Sequence, residues 1–300
     1  MTNFYGQYIG FGAGGVVDLT PLQRGSRGFA CAGHSKTTID YFTIATLGSS
    51  ADFGDTDSAT NGKSGVTNIT RGLMPAGSSA AGIEYITCAS LGNGQTFGDQ
   101  THTSGGKPIT VGNGTRGIMC GADDSASAVI DVVTIASTGN ASTNSDLTVA
   151  RGGGGRGEDN TRAVMMGGQG SSGTNTIDYI TMATDDNAID FSATLSNSFG
   201  YLGGTGGGGR AMAVGGCLSQ TAMEFVVIQT TGTASAFGDL FGGHRGIDAC
   251  SNDTRGVACG GYNQSTDMQY WAMLTEGNAA DFGDMVDGKQ YNGCMSGVPL

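Results

Sequence analysis

The sequence predicts an all-β fold that is built from one unit repeated six times. Three observations lead to this prediction: a phrase that recurs along the chain, a high glycine content, and short runs of β-forming residues at regular spacing. Glycine supplies 56 of the 300 residues, whereas proline supplies four and charged residues only 13%. This composition suits many short strands joined by tight turns and offers little to helices.

The repeated phrase begins with an arginine and continues into a short apolar stretch that ends in small residues. It reads "TRGLMPAG" from Thr70, "TRGIMCGA" from Thr115, "TRAVMMGG" from Thr161 and "TRGVACGG" from Thr254. Looser copies are "SRGFACAG" from Ser26 and "GRAMAVGG" from Gly209. A phrase written six times indicates a structural unit that cannot bury its apolar face alone. The six arginines are Arg27, Arg71, Arg116, Arg162, Arg210 and Arg255.

A central strand is predicted after each arginine-led stretch. The runs are "TIDYFTIAT", "GIEYITCAS", "VIDVVTIAS", "TIDYITMAT", "AMEFVVIQT" and "DMQYWAMLT". Nearly every position in them is apolar or Thr, which indicates that both faces of the strand are covered. The blades of a β-propeller meet this requirement because each sheet packs between two neighbours, and the arginines recur about every 44–48 residues, a spacing typical of such blades.

An outer strand follows each central run, in sequences such as "ADFGD" (51–55 and 280–284), "QTFGD" (95–99) and "SAFGD" (235–239). We expect its Phe to fill the gap between adjacent blades. The irregular glycine-rich part beyond it has to contain a short inner strand, because only small residues fit close to a propeller axis. Each blade therefore has about four antiparallel strands.

The repeated unit resembles known repeats. The Gly-Gly that closes the second strand of a roughly 45-residue all-β repeat resembles the kelch-type β-propeller. The low-charge phrase "TRGhhhGG…IDYITIAT.GNA.DFGD" resembles repeats of tail-fibre and other virion proteins of bacteriophages. This resemblance covers roughly residues 24–285, and it implies a structural role in a virion.

One domain over residues 1–300 is predicted, with six blades. The repeats run approximately over 24–67, 68–112, 113–158, 159–206, 207–251 and 252–285, and residues 1–23 and 286–300 close the ring. Because "YIGFGAGG" (8–15) resembles "VMMGGQG", a seventh blade assembled from both termini is the alternative.

The repeated charges are expected to be structural. We expect each arginine to donate to an Asp or to backbone carbonyls within or between blades, because an unpaired buried Arg is costly. Cys31, Cys120 and Cys259 stand where other copies have Met or Val, so they are expected to be buried as small hydrophobes. The aspartates that end the outer strand are Asp55, Asp99, Asp146, Asp239 and Asp284.

Catalysis is not predicted. The segment "GFGAGG" (10–15) matches the G-x-G-x-x-G fingerprint of dinucleotide-binding proteins. That fingerprint is meaningful only between a strand and a helix, and no helix is predicted here. His34, His102 and His244 lack metal-ligand spacing, so no metal or cofactor is expected. The acidic turns at 54–58 and 183–190 have oxygen ligands for Ca²⁺ but lack the order of an EF-hand loop.

Binding of a sugar remains open, with the loop residues Tyr201, Tyr262 and Tyr291 as candidates for stacking. Trp271 occupies a central-strand position and is expected to pack in the core. The net charge of −12 opposes binding to nucleic acid, and no apolar run is long enough for a membrane helix. The start of the chain carries no visible signal peptide.

The expected function is therefore a non-enzymatic bacteriophage virion protein. It would be a tail-fibre or appendage module, or a surface decoration, with loops that contact a host-surface glycan or neighbouring virion subunits. Self-association is expected, and the expected location is the virion. The alternatives are a propeller-type enzyme or lectin that acts on polysaccharide, and a self-assembling extracellular structural protein.

Overall fold

The computed structural model describes residues 24–78, 80–104, 106–122, 127–169, 173–217, 220–242 and 244–298. All the regular secondary structure of these residues is β-strand. The described residues contain no helix that is long and apolar enough to cross a membrane. The stretch 8–15, on which the seventh-blade alternative depends, lies outside the described residues.

Each repeat supplies four kinds of strand. The innermost strands are short: β4 Val66–Thr67, β8 Ile109–Gly112, β12 Gly155–Glu158, β16 Gly206–Gly207, β20 Asp248–Ser251 and β24 Gly293–Gly297. The second strands all begin at the repeated arginine: β1 Arg27–Gly33, β5 Arg71–Pro75, β9 Arg116–Ala122, β13 Arg162–Gln169, β17 Arg210–Val214 and β21 Arg255–Cys259.

The third strands are the predicted central runs: β2 Lys36–Thr43, β6 Ala80–Thr87, β10 Ser127–Thr134, β14 Gly173–Thr181, β18 Ala222–Val227 and β22 Asp267–Ala272. The outer strands are β3 Ala51–Asp55, β7 Gln95–Ser104, β11 Ser142–Asp146, β15 Ile189–Phe199, β19 Ser235–Asp239 and β23 Ala280–Asp284. Each inner strand except β24 lies directly before the arginine-led strand in the chain, so the sheets are offset from the predicted repeats by one strand.

The strands form a propeller-like arrangement of antiparallel sheets. Four sheets have four strands each, and the fifth has eight, because β12 pairs with β17 through Arg156 and Met212. The predicted all-β, propeller-like architecture is confirmed, but the six repeats do not give six separate sheets. The C-terminal strand β24 pairs with β1 from the first repeat, so the last and first parts of the chain share one sheet.

The two ends of the sheets differ in regularity. Each connection from a third strand to an outer strand has seven residues: 44–50, 88–94, 135–141, 182–188, 228–234 and 273–279. We call this the constant end, which also carries the turns between inner and second strands. At the opposite, variable end, the connection between second and third strands ranges from two residues (34–35) to seven (260–266). The connection from an outer strand to the next inner strand ranges from four residues (105–108) to ten (56–65).

The core consists of clusters that each join two adjacent repeats. Six such clusters occur within the described part of the chain. Phe53 of the first repeat, for example, packs against Met74 and Ile86 of the second, and Phe282 of the last packs against Phe42 of the first. Burying a side chain of this size contributes about 1.5–3 kcal/mol. The repeats are therefore held mainly by contacts with their neighbours.

Candidate binding site at the variable end

The six repeated arginines form a closed circle of contacts, which we call the arginine ring. Each of them donates from Nη1 to a backbone carbonyl just after the third strand of the following repeat, over 2.9 to 3.3 Å. The last arginine reaches the first repeat, so the circle includes the closure of the chain. In chain order the acceptors are the carbonyl oxygens of Cys88, Ile135, Thr184, Ile228, Met273 and Ile44.

Five of these guanidinium groups also stack on an aromatic ring of their own repeat. The distance from the guanidinium carbon to the ring centroid is 4.1 to 4.7 Å. In the third repeat Val132 stands where the others have Tyr or Phe, and Arg116 instead forms an ion pair with Asp185. The planar guanidinium suits both the carbonyl and the stacking contact, which explains why Lys does not occur at this position.

Replacing Arg71 with Lys should lower the unfolding free energy by about 1–2 kcal/mol, because an ammonium loses the stacking on Tyr85 and the fixed geometry of the bond to Ile135. Arg116→Lys is the matched control. The unfolding free energy of this variant should fall by less than about 1 kcal/mol, since Lys can still pair with Asp185 at an exposed site. Urea unfolding of both variants measures the difference, and equal losses would contradict the role given to stacking.

The aspartates that end the outer strands are not the partners of these arginines. The backbone N–H of Asp55 donates to Asn93 Oδ1 of the next repeat over 3.1 Å, and Asp99, Asp146 and Asp239 repeat this contact with an Asn. Asp284 donates in the same way to Ser49 Oγ. The side chains of Asp55, Asp239 and Asp284 accept from a threonine hydroxyl of their own repeat. The backbone contacts therefore tie each outer strand to the seven-residue connection of the next repeat, whereas the threonine contacts lie at the variable end.

A second series of acids joins each repeat to the preceding one. A buried carboxylate or amide in each third strand accepts a backbone N–H from the later part of the preceding outer strand or from the segment just after it, over 2.8 to 3.1 Å. Burial alone raises the pKa of Asp131, but the nearby His102 imidazole and the hydrogen bonds from Thr101 outweigh it and lower the pKa. The six acceptors are Asp40, Glu84, Asp131, Asp178, Glu224 and Gln269.

The axis holds a buried charge network centred on Asp248. Arg156 donates to both of its carboxylate oxygens over 2.9 Å, and Lys107 Nζ lies 3.5 Å from Oδ1. The N–H of Cys294 in the closing strand donates to Oδ2 over 2.7 Å. Burial alone raises the pKa of Asp248, but Arg156 and Lys107 outweigh it and lower the pKa. The neighbouring axial cavity has a volume of only about 50 Å³ and is lined by Arg24, Arg156 and Glu158 among others.

A larger cavity, of about 170 Å³, lies at the variable end. It brings together Tyr201 and Tyr291, whose rings are 5.2 Å apart at 66° in an edge-to-face arrangement. Asn61, Ser78 and Lys107 complete the polar wall, with two glycines beside them. Two of the three tyrosines predicted as binding residues, 90 positions apart in the chain, therefore share one cavity.

Both tyrosines occupy a backbone position that glycine fills in other repeats. The φ angle is 56° at Tyr201 and 57° at Tyr291, compared with 78°, 58° and 68° at Gly62, Gly153 and Gly246. Backbone bonds link these loops, from Gly62 N to Tyr291 O, from Tyr291 N to Gly246 O and from Gly246 N to Tyr201 O. A side chain in this left-handed region costs about 1–2 kcal/mol relative to glycine. The fold therefore does not require tyrosine at either position.

The third candidate, Tyr262, does not join them. It also lies at the variable end, in the connection 260–266, where it is 47% exposed and its ring lies under Arg245 at 5.0 Å. Trp271 is buried against Met212, which confirms that it packs in the core. Cys31, Cys120 and Cys259 are fully buried, which confirms their prediction as core residues, and burial raises the pKa of the Cys120 thiol to about 12.

The acidic turns considered for Ca²⁺ make protein contacts instead. Asp57 donates its N–H to Glu84, and Asp185 pairs with Arg116. Over the residues that the structure describes, no three His, Cys, Asp or Glu side chains lie close enough together to hold a metal ion.

Sequence reasoning missed the polar residues of the cavity. Lys107 is one of four lysines and stands two residues before the apolar inner strand β8, which could have marked it as buried. Its ammonium donates to Ile247 O over 3.1 Å, and burial lowers its pKa although Asp248 opposes the shift. Asn61 pairs with His34 over 2.5 Å. Neither Asn61 nor Ser78 lies within the repeated phrase, so periodicity gave no signal for them.

Comparison with known proteins adds no relative. Neither a protein-family model nor a curated protein sequence matches this chain. The fold and the site define a propeller-like all-β protein with a small aromatic cavity at its variable end.

Proposed function

We propose that this chain is one six-bladed, kelch-like β-propeller and a non-enzymatic structural module of a bacteriophage virion. It belongs to a tail fibre or appendage, or decorates the particle surface. Its variable end contacts a host-surface glycan or a neighbouring virion subunit.

Two observations support six blades. The arginine ring has six steps, each from one repeat to the next, and six hydrophobic clusters fill the spaces between neighbouring repeats. The continuity between the fourth and fifth repeats rests on a single residue pair, Arg156 with Met212. Each of these two repeats otherwise has its own inner, second, third and outer strands.

The observation that carries the functional proposal is the difference between the two ends. The connections from third to outer strands at the constant end all have seven residues and the turns from inner to second strands have two or three, whereas the connections at the variable end range from two to ten. A rigid scaffold with variable loops on one side is a typical arrangement for binding and presentation. The scaffold is tied by hydrogen bonds between every pair of neighbouring repeats, which suits a module that has to keep its shape outside a cell.

The virion assignment is supported by the resemblance of the repeated phrase to repeats of phage tail-fibre and virion proteins. Buried carboxylates such as Asp131 and Asp178 are occupied by hydrogen bonds that hold neighbouring repeats together. This use of the acids favours a structural role for them over a role in hydrolysis.

Immunogold electron microscopy tests the proposal. An antibody raised against the purified protein is applied to phage particles and to cells from the source that carries this chain. We expect gold on tail appendages or in a regular pattern on the capsid surface. Labelling of cell envelopes or extracellular filaments, with unlabelled particles, would refute the virion role and favour an extracellular structural protein.

A further inference from the structure

We propose that the cavity at the variable end binds a single neutral pyranose ring, the terminal sugar of a glycan, with Tyr201 and Tyr291 as its stacking surface. This inference rests on the proposed function, because it names the class of ligand that the variable end would bind. It can be tested separately.

The size of the cavity limits the ligand. Sites for drug-sized molecules have volumes of about 300–1,000 Å³, whereas this cavity has about 170 Å³. A cavity below that range favours a ligand the size of one sugar ring over a drug-sized one. Longer glycans would therefore insert one residue and leave the rest outside.

The charge of the walls indicates a neutral ligand. Among the wall residues that the structure describes, the charged one is Lys107, whose buried ammonium is directed to Ile247 O and Asp248, so its charge is already balanced. Within the described part of the chain, the wall also has the amide of Asn61, the hydroxyl of Ser78 and the phenols of the two tyrosines. Amide and hydroxyl groups both donate and accept hydrogen bonds, as the hydroxyls of a sugar do.

The aromatic pair supplies the apolar part of recognition. Tyrosine combines a large apolar face with a polar hydroxyl, and a pyranose likewise combines an apolar C–H face with hydroxyls at its edge. The edge-to-face packing of the rings fixes the two side chains relative to each other. Tyr291 lies against Gly246, where an added Cβ would stand 2.7 Å from its ring, so this glycine makes room for the aromatic side chain.

The comparison between repeats separates binding from folding. Gly62, Gly153 and Gly246 serve the same left-handed loop position without a side chain. The two aromatic rings are thus an addition to the scaffold at the mouth of the axis. Their removal leaves a backbone that other repeats already use.

The test uses the full chain and saturation-transfer difference NMR with the methyl glycosides of glucose, galactose, mannose and N-acetylglucosamine. We expect at least one glycoside to bind, with a dissociation constant in the millimolar range. Tyr201→Gly and Tyr291→Gly should each weaken this binding at least tenfold. Tyr262→Ala, which removes an exposed tyrosine from the same end, should leave it unchanged. The resonance of the buried Trp271 indole N–H verifies that each variant is folded.

Two outcomes would overturn the inference. One is that none of the glycosides binds the wild-type chain, and the other is that the glycine variants bind as well as the wild type does. Either result leaves the virion proposal intact if immunogold labels phage particles. Conversely, tyrosine-dependent glycoside binding with unlabelled particles would reject the virion role and retain the sugar site.

Discussion

Replacing Asp248 with Asn is expected to lower the unfolding free energy by about 3–5 kcal/mol, the usual cost of breaking a buried ion pair by removing one partner. Asp248 is fully buried and accepts two bonds from Arg156 and one from the N–H of Cys294, with Lys107 nearby. The amide would keep the volume but would leave two buried cations without a counter-charge. Urea unfolding followed by circular dichroism gives the change.

Asp253→Asn is the matched control for this substitution. Asp253 pairs with Arg24 over 3.1 Å, but its side chain is 41% exposed, so solvent screens the interaction. Its loss should stay below about 1 kcal/mol. If the two variants lose the same free energy, the axial network does not contribute to stability in the way that its burial indicates.

The pH dependence of the Asp248→Asn variant provides a second readout. Because the pKa of Asp248 is lowered in the folded state, this carboxylate stabilises the protein above its unfolded pKa of about 3.9. That contribution is lost as the pH falls through the lower folded value. The difference in stability between wild type and variant should therefore be constant from about pH 5 to 7 and should narrow below about pH 4. A difference that widens in acid would show that the sign of the shift is wrong.

The repeated features of this fold could be predicted from the sequence, whereas its unique features could not. The arginine ring and the third strands appear six times, so each copy supports the interpretation of the others, and Arg27 or Arg255 can be recognised from their neighbours alone. The sheets of the fourth and fifth repeats are joined by one residue pair, Arg156 with Met212. No pattern in the sequence predicts this pairing. Lys107 in the connection 105–108 and Asp248 at the start of β20 meet at the axis from different repeats.

The candidate site shows the same division. Tyr201 and Tyr291 could be selected as loop aromatics, but their meeting depends on how many repeats separate them around the axis. The left-handed backbone at both positions could have been inferred only by aligning the irregular segments, where Gly62, Gly153 and Gly246 occupy the same place. Tyr262 has the same composition-based signal, yet it lies on Arg245 instead. The choice among the three loop tyrosines therefore required knowledge of how the repeats are arranged around the axis.

Ending the chain after Asn292 should destabilise the protein more than any single substitution considered above. The truncation removes β24, which pairs with β1 from Arg27 opposite Gly297 to Cys31 opposite Gly293. It also removes Met295, which is buried between the first two repeats, and loss of such a side chain alone costs about 2–5 kcal/mol. The bond from Cys294 to Asp248 disappears as well, so the axial network loses a donor at the same time.

The loss of β24 should appear as a lower and broader urea transition, since the inner edge of the first sheet is left open and its repeat can separate from the last. A chain that ends after Val298 is the control, because it keeps β24 and the bond from Val298 N to Ile69 O. A peptide of residues 288–298 added to the truncated chain should restore stability in proportion to its concentration, by mass action. The same peptide with Met295→Asp should fail to do so, because it would place a charge in the core between the first two repeats. Equal transitions for the two truncated chains would mean that the ring is held by its inter-repeat clusters and the arginine ring, without help from the closing strand.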